Sequence, residues 1–268
     1  MRELKMKMKK ILAAAVVAAL SVSVLTACGG SDKKVLKVAT SADYPPYEFH
    51  QVVDGKDSIV GFEMEAIRYI GKQAGYDEVE IIDMDFNGLL AAVESGVADC
   101  AVAAMSVDEE RLKNADFTDF YYTAEQLCLV RAEDKEKYST FEGMKGAVVG
   151  VQNGTIHEQL MLDTVGDVEI KLYKKVTDMV MELENGTVDV LCLDGYVARN
   201  SAAKNDKIVV PDVSFGVTEG DKYAIAVKKG NTELLDVLNK GIADMLESGQ
   251  MEEWVVEANE IMEQESQG

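Results

Sequence analysis

The 268-residue chain is 47% apolar and 28% charged, with only three prolines. That balance closes a hydrophobic core and leaves disorder to the two ends. Forty-eight acids oppose 27 basic residues, a net charge of −21, which excludes nucleic acid and a polybasic membrane dock, since both need clustered Lys and Arg.

The first residues read as a leader. Arg2, Lys5, Lys7, Lys9 and Lys10 precede an apolar run over 11–20, and small residues lead to Cys28. This is the order of a secretory signal peptide, expected over 1–27. The apolar run falls short of the roughly 20 residues of a membrane span. The ending Leu25-Thr26-Ala27-Cys28 resembles the bacterial lipobox, in which the Cys becomes the new N-terminus and carries lipid. Residues 28–34, rich in Gly and Lys, then form a tether. The alternative is an ordinary signal peptide followed by an incidental Cys. Five basic residues and one acid leave with the leader, taking the net charge from −21 to −25. The expected location is outside the cytoplasm, held at the membrane by a lipidated Cys28.

In chain order, 35–40 reads as a strand, and the two prolines of 41–47 forbid regular structure there. Residues 63–73 read as a helix, with Met64, Ile67 and Ile70 three apart. A strand at 80–84, a short helix at 88–94 and a strand at 99–104 follow. The pattern then repeats as a strand at 147–151, a helix at 155–163, a strand at 168–173, a helix at 177–184 and a strand at 188–193. A strand at 223–227 and a helical pattern over 232–258 close the chain. Strands alternating with helices imply βαβ units and parallel sheets. The segment 93–99 is echoed by 183–189, each leaving a helix, turning on Gly and entering a strand. Two α/β lobes are therefore expected, with ligand bound outside the carboxyl ends of the strands.

Cys100, Cys128 and Cys192 each sit in an apolar run and read as small buried hydrophobes. Whether any two pair is left open. No spacing of Cys and His suggests a metal, and no motif calls for a cofactor.

Several residues could hold a ligand. Ser106 and Glu109 form an S-x-x-E capping pattern after a strand, with Arg111 on the first turns of the helix. Amide groups and a guanidinium there suit a carboxylate; the plainer reading is a capped helix with a surface Arg. Thr155 and Glu158 repeat the pattern after Gly154, with the same alternative. Asp194 ends a strand and could face an ammonium, or could simply cap the next helix. Tyr44 and Phe86 stand where loops begin and could flank a side chain, or be core.

With these residues in place, the chain resembles the polar amino-acid-binding family of solute receptors of ABC transporters. The resemblance spans 35–258. It rests on Ala39-Thr40-Ser41-Ala42-Asp43-Tyr44-Pro45-Pro46-Tyr47-Glu48-Phe49, Gly61-Phe62-Glu63-Met64-Glu65 and Met84-Asp85-Phe86-Asn87-Gly88. It also rests on the runs 103–106, 110–111, 116–118, 149–155 and 189–194. It implies an α/β, two-lobed fold of the type II periplasmic-binding-protein kind, with a hinge and an interlobe ligand cleft. Lobe one would hold 35–127 plus 224–262 and lobe two 128–223, with crossing strands near 126–131 and 223–227. It implies that Arg111, Ser106 and Thr155 take a ligand carboxylate, that Asp194 and the Ala104 carbonyl take the ammonium, and that Tyr44 and Phe86 flank the side chain. The expected partners are a free L-amino acid and the transmembrane permease subunits of an importer; the receptor itself would be a monomer.

One departure bears on specificity. Members that select cationic side chains often carry an acid three residues before the first aromatic; here that position is Ser41. With Gln152 placed to touch the side chain, a polar, uncharged ligand is favoured. The competing reading is an enzyme on the same fold, such as a cyclohexadienyl dehydratase-like protein, with His157 as its catalytic group. A zinc protease is excluded, because Met161 stands where HExxH needs its second His. A sensor module would need a membrane span and a signalling domain.

Overall fold

The computed structural model describes residues 33–265, apart from 54 and 217–220. The leader, Cys28 and most of the tether lie outside the described residues.

The first half opens with β1 (Val35–Thr40), β2 (Asp43–Tyr44), β3 (Glu48–Val53) and β4 (Lys56–Val60). Helix α1 (Phe62–Gln73) and β5 (Glu78–Asp83) follow. A 3-10 turn at Phe86–Gly88 enters α2 (Leu89–Ser95), and β6 (Cys100–Ala101), α3 (Arg111–Asn114) and β7 (Ala115–Phe117) complete this half. Then come β8 (Tyr122–Thr123), β9 (Gln126–Arg131), β10 (Val148–Gln152), α4 (His157–Thr164) and β11 (Glu169–Tyr173). They lead to α5 (Val176–Glu184), β12 (Val190–Asp194), α6 (Gly195–Lys204) and β13 (Ile208–Val209). The chain returns through β14 (Lys222–Tyr223) and β15 (Ala226–Lys228) to α7 (Thr232–Ser248) and α8 (Gln250–Glu265).

Two five-stranded sheets result, in the orders β5-β1-β6-β15-β7 and β11-β10-β12-β9-β13. They share one plan. In the first, β1 runs parallel to β5 and β6, and β15 pairs antiparallel with β6. In the second, β10 runs parallel to β11 and β12, and β9 pairs antiparallel with β12. The chain passes between the sheets twice, through β8 and β14, which pair antiparallel with each other. Strand β9, read from sequence as a crossing strand, is wholly a strand of the second sheet, so the crossing falls just before it.

The sequence echo has a physical cause. Asp99 donates its amide to the Lys37 carbonyl (2.8 Å) and its carboxylate accepts the Lys37 amide (2.8 Å). Asp189 repeats this with the carbonyl and amide of Val148, at 2.7 and 3.0 Å. In each half an acid ties the start of the third parallel strand to the first strand. In the second half Arg131 adds bonds to Asp134 and Asp189.

Leu36 and Val38 of β1, Ile67 and Ile70 of α1 and Leu238, Ile242 and Met245 of α7 form the core on one face of the first sheet. Each such side chain contributes about 1.5–3 kcal/mol. The opposite face is built from small residues, Ala39, Ala92, Ala101 and Ala103, over Leu89 and Met105.

The structure corrects four readings. The helix expected over 232–258 breaks at Gly249, whose φ of 73° reverses the turn. The strand expected at 99–104 keeps only Cys100–Ala101, because the chain turns at Ala104, which has a positive φ of 45°. The strand expected at 223–227 divides, Tyr223 pairing with Tyr122 and Ala226 with Ala101. The segment 41–47, where the prolines are expected to forbid regular structure, holds β2 ahead of Pro45, with Asp43 and Tyr44 pairing with Phe49 and Glu48. The cysteines are buried as expected and are free thiols, although Cys128 and Cys192 face each other across β9 and β12.

The entry into α1 locks the Pro-rich loop to the helix. The amides of Phe62 and Glu63 donate to the carbonyls of Pro46 and Tyr47, and a Cβ on Gly61 would stand 2.1 Å from the Tyr47 oxygen at a φ of 124°. Gly61→Ala should therefore cost about 3–5 kcal/mol and lower Tm by roughly 10 °C in scanning calorimetry. Gly75→Ala, with open space around its Cβ at a φ of 76°, should cost only about 1–2 kcal/mol. Equal losses at both sites would refute this packing argument.

Candidate functional site

A cavity opens where the carboxyl ends of the two sheets face each other. The first half lines it with Ser41, Tyr44, Glu48, Phe86, Ala104, Ser106 and Arg111, and the second with Gln152, Thr155, Ile156 and His157. Gln126 and Tyr223, which flank the crossing pair, complete the lining.

Arg111 is only 8% exposed. Its Nη1 donates to the Ser106 carbonyl (2.6 Å) and to Ser106 Oγ (3.0 Å), and Nη2 donates across the cleft to the Gly154 carbonyl (2.7 Å). Nε lies 3.4 Å from Asp108 Oδ2. The guanidinium stands over the Phe86 ring, 5.6 Å from its centroid, within cation–π range. Burial lowers the Arg111 pKa, and Asp108 and Glu110 oppose that shift. The result is a cation held flat and aimed, the geometry that grips a carboxylate with two parallel bonds.

The surrounding helix is not what the S-x-x-E pattern suggests. Ser106 is extended, bridged to Tyr223, so its hydroxyl serves Arg111 rather than a helix end. Asp108 is the residue that accepts the amides of Glu110 (2.9 Å) and Arg111 (2.8 Å). With only four residues, α3 has little macrodipole to offer, and the charge at this site belongs to Arg111. The T-x-x-E pattern fails in the same way. Helix α4 starts with Ile156 as its cap, and the Thr155 hydroxyl donates back to the Gln152 carbonyl at 2.8 Å.

His157 is 4% exposed, with Nδ1 3.0 Å from Thr155 Oγ1 and Nε2 2.7 Å from Gln126 Oε1. Burial first, and the Arg111 charge second, push it down to about 4, so the ring is neutral near pH 7. Among the described residues its two ring nitrogens meet a hydroxyl and an amide oxygen, so it forms a fixed polar wall.

Asp194 is fully buried and does not line the cavity. Its Oδ1 accepts the Tyr196 amide (2.8 Å), so the helix-cap reading holds, while Oδ2 accepts the hydroxyls of Tyr47 (2.8 Å) and Tyr223 (2.7 Å). Its own amide donates to the Tyr44 hydroxyl at 3.0 Å. Burial raises the carboxyl to about 6 despite these donors. Asp194 thus stands one layer behind Tyr44 and Tyr223, which are on the lining.

The other seven expected residues meet at the cavity. Ala104 holds its left-handed backbone because its amide is gripped by both carboxylate oxygens of Glu63, at 3.0 and 3.1 Å, which offsets strain of order 1 kcal/mol. Gln152 donates to the Lys174 carbonyl at 3.2 Å and reaches Asp43 at 3.5 Å. Sequence reasoning gave no role to Glu48, Gln126 and Tyr223. Glu48 follows two prolines beside the buried Phe49, so no alternation marks it.

The two walls touch. Asp43 accepts the Val176 amide at the start of α5 (2.6 Å), and Lys174 pairs with Asp85 at 2.7 Å. A Cβ on Gly154 would come within 3.0 Å of Asn87 Cβ, so only glycine permits this approach.

The family model of bacterial extracellular solute-binding proteins, family 3, matches residues 36–257. The arginine-binding extracellular protein ArtP of Bacillus subtilis is 34% identical over 256 residues, covering 91% of this chain and 96% of that protein. The structure of AbpA from Streptococcus pneumoniae, an amino acid ABC transporter substrate-binding protein bound to L-arginine, is 32% identical with a TM-score of 0.81. That match covers 85% of this chain and 96% of AbpA. An ancestral arginine-binding protein bound to glutamine is 33% identical at a TM-score of 0.74, with 82% and 96% covered. These relatives are named as binding proteins rather than enzymes, and their architecture is the two-lobed type II periplasmic-binding-protein-like fold. This chain belongs to family 3 of the bacterial extracellular solute-binding proteins.

Proposed function

We propose that this protein is the receptor of an ABC importer, closing two lobes on a free L-amino acid and presenting it to transmembrane permease subunits. The observation that carries the reading is the buried guanidinium of Arg111, aimed into a cavity whose walls come from both sheets. In this reading the ligand carboxylate replaces the Gly154 carbonyl on Arg111 and is shared with Ser106 and Thr155. The ammonium meets the Ala104 carbonyl and the negative field of Asp194 behind Tyr223. The side chain lies between Tyr44 and Phe86, toward Gln152 and Ser41.

The lobes would be 35–127 plus 224–262 and 128–223, bending at the β8–β14 pair. Ligand that bridges them shifts the population toward the closed form. Ser41, Gln152 and the absence of an acid at position 41 favour a polar, uncharged side chain. The arginine-bound relative makes arginine the natural rival. The receptor is read as a monomer, exported and held at the membrane by lipid on Cys28; no helix among the described residues is long and apolar enough to cross a membrane.

A thermal-shift screen of the protein without its leader, against the twenty proteinogenic L-amino acids with sugar and amine controls, tests the function. Ligand at 100 times its Kd should add about 2.7 kcal/mol, a rise of several degrees. A response to glutamine-like side chains supports the specificity reading, a response to arginine alone overturns it, and no amino-acid response overturns the receptor reading. Arg111→Ala should weaken binding by about 2–5 kcal/mol in calorimetry, because a buried carboxylate loses its partner; unchanged affinity would remove Arg111 from the site. Cys28→Ser should release the protein from the membrane fraction and abolish the lipid mass increment on the N-terminal peptide. Retention at the membrane would sink the anchor.

A further inference from the structure

The cavity contains an acid that the ligand roles above leave unused. Glu48 opens β3 and lines the cavity. It is 1% exposed, and no donor among the described residues reaches its Oε2. Beside it lies Glu63 on α1, fully buried, whose carboxylate already accepts the Ala104 amide (3.0 Å) and the Tyr121 hydroxyl (2.5 Å). Burial raises both carboxyls, and the charge of Glu63 acts on Glu48. Two carboxyls in that position cannot both be charged, so they share a proton. Because Glu63 has two donors and Glu48 Oε2 has none, the proton belongs to Glu48.

The other groups facing this pair are acidic or neutral. Asp43 on β2 and Asp194 at the end of β12 add negative charge, and the hydroxyls of Tyr44 and Tyr121 are uncharged. Arg111 draws its counter-charge from Asp108 and Glu110, and His157 is neutral. The cavity therefore holds one positive group with partners of its own and, apart from it, a buried acid awaiting one. Burial is the main cause that raises Glu48, with the Glu63 charge second.

We propose that Glu48 contacts the ammonium of the bound amino acid and releases to water the proton it shares with Glu63 as that ammonium arrives. The inference rests on the receptor reading and adds a ligand-contacting residue to it. The balance is simple: an ammonium N–H comes to donate to Glu48, the Glu48 O–H bond breaks, and the proton leaves to solvent. The zwitterion is neutral overall, so the cleft becomes one unit more negative as the proton leaves, with the ammonium paired to the ionised Glu48 and the carboxylate to Arg111, and no unpaired ion is created.

The test is calorimetric titration with whichever of the twenty amino acids stabilises the protein most in the screen. It is run at pH 5.5, 6.5 and 7.5 in buffers of different ionisation enthalpy. Close to one proton should be released per ligand at the two lower values, and affinity should fall about tenfold per pH unit on acidification. Glu48→Gln should abolish both effects and weaken binding at pH 7.5 at least tenfold. Carbon-13 spectra of labelled glutamate in the unsubstituted protein give a second readout, independent of how the variant folds. One carboxyl should be protonated at pH 6.5 and move to its ionised position on adding ligand. Release of no proton, or a release that survives Glu48→Gln as it would if Asp194 were the source, overturns the proposal while leaving the receptor reading standing. Failure of every amino acid in the preceding screen overturns both.

Discussion

A guanidinium that cannot lose its charge has been carried out of bulk water at Arg111, and the rest of the cleft answers to that fact. An unpaired buried cation would cost several kcal/mol. Here three nitrogens of the group are met by acceptors: a carbonyl and hydroxyl of Ser106, Asp108, and a carbonyl from the opposite half. Each acceptor depends on a different element. Ser106 is held by its bridge to Tyr223, Asp108 by the amides at the start of α3, and Gly154 by the close approach to Asn87. The ordering of β6, the crossing pair and the β10–α4 turn thus converges on one side chain.

The two halves solve one folding problem twice. Each places a parallel trio of strands with the first strand in the centre, and each ties it with an aspartate that clasps both the amide and the carbonyl of one residue. The antiparallel strand that flanks each trio has just come from a crossing. The pair of crossings is thus built into both sheets. The small-residue face of the first sheet, where Ala39, Ala101 and Ala103 lie under α2, lets the backbone near Ala104 approach the cavity.

Much of this was legible in the sequence because the signals are periodic. The alternation of strand and helix, the Gly-turn echo and seven of the cavity residues were readable from spacing and from family resemblance. What was hidden was tertiary. The S-x-x-E and T-x-x-E patterns look like caps, yet both hydroxyls are occupied by partners that a local pattern does not reveal, Arg111 and the Gln152 carbonyl. Asp194 was placed at a strand end correctly, but two tyrosines remote in sequence put it behind the lining. Glu63 sits in a regular amphipathic helix, and the donors that explain its burial, an amide 41 residues away and a tyrosine hydroxyl 58 residues away, are remote in sequence. The Gly249 break falls inside an uninterrupted helical pattern, since one residue does not change a period.

In the proposed reading, the bond from Arg111 to the Gly154 carbonyl gives the protein an internal competitor for its ligand. A main-chain oxygen of the second half occupies the position that a carboxylate would take, and it belongs to the surface that must close over the ligand. Closure is therefore partly satisfied by the chain itself, with the Asp43–Val176 and Lys174–Asp85 contacts acting as latches. Affinity then reports a difference, the gain from a charged oxygen over a neutral one, rather than the full strength of the guanidinium contact. In the proposed reading the chain can bind firmly enough to capture an amino acid and still let it go, because part of the closed contact is its own.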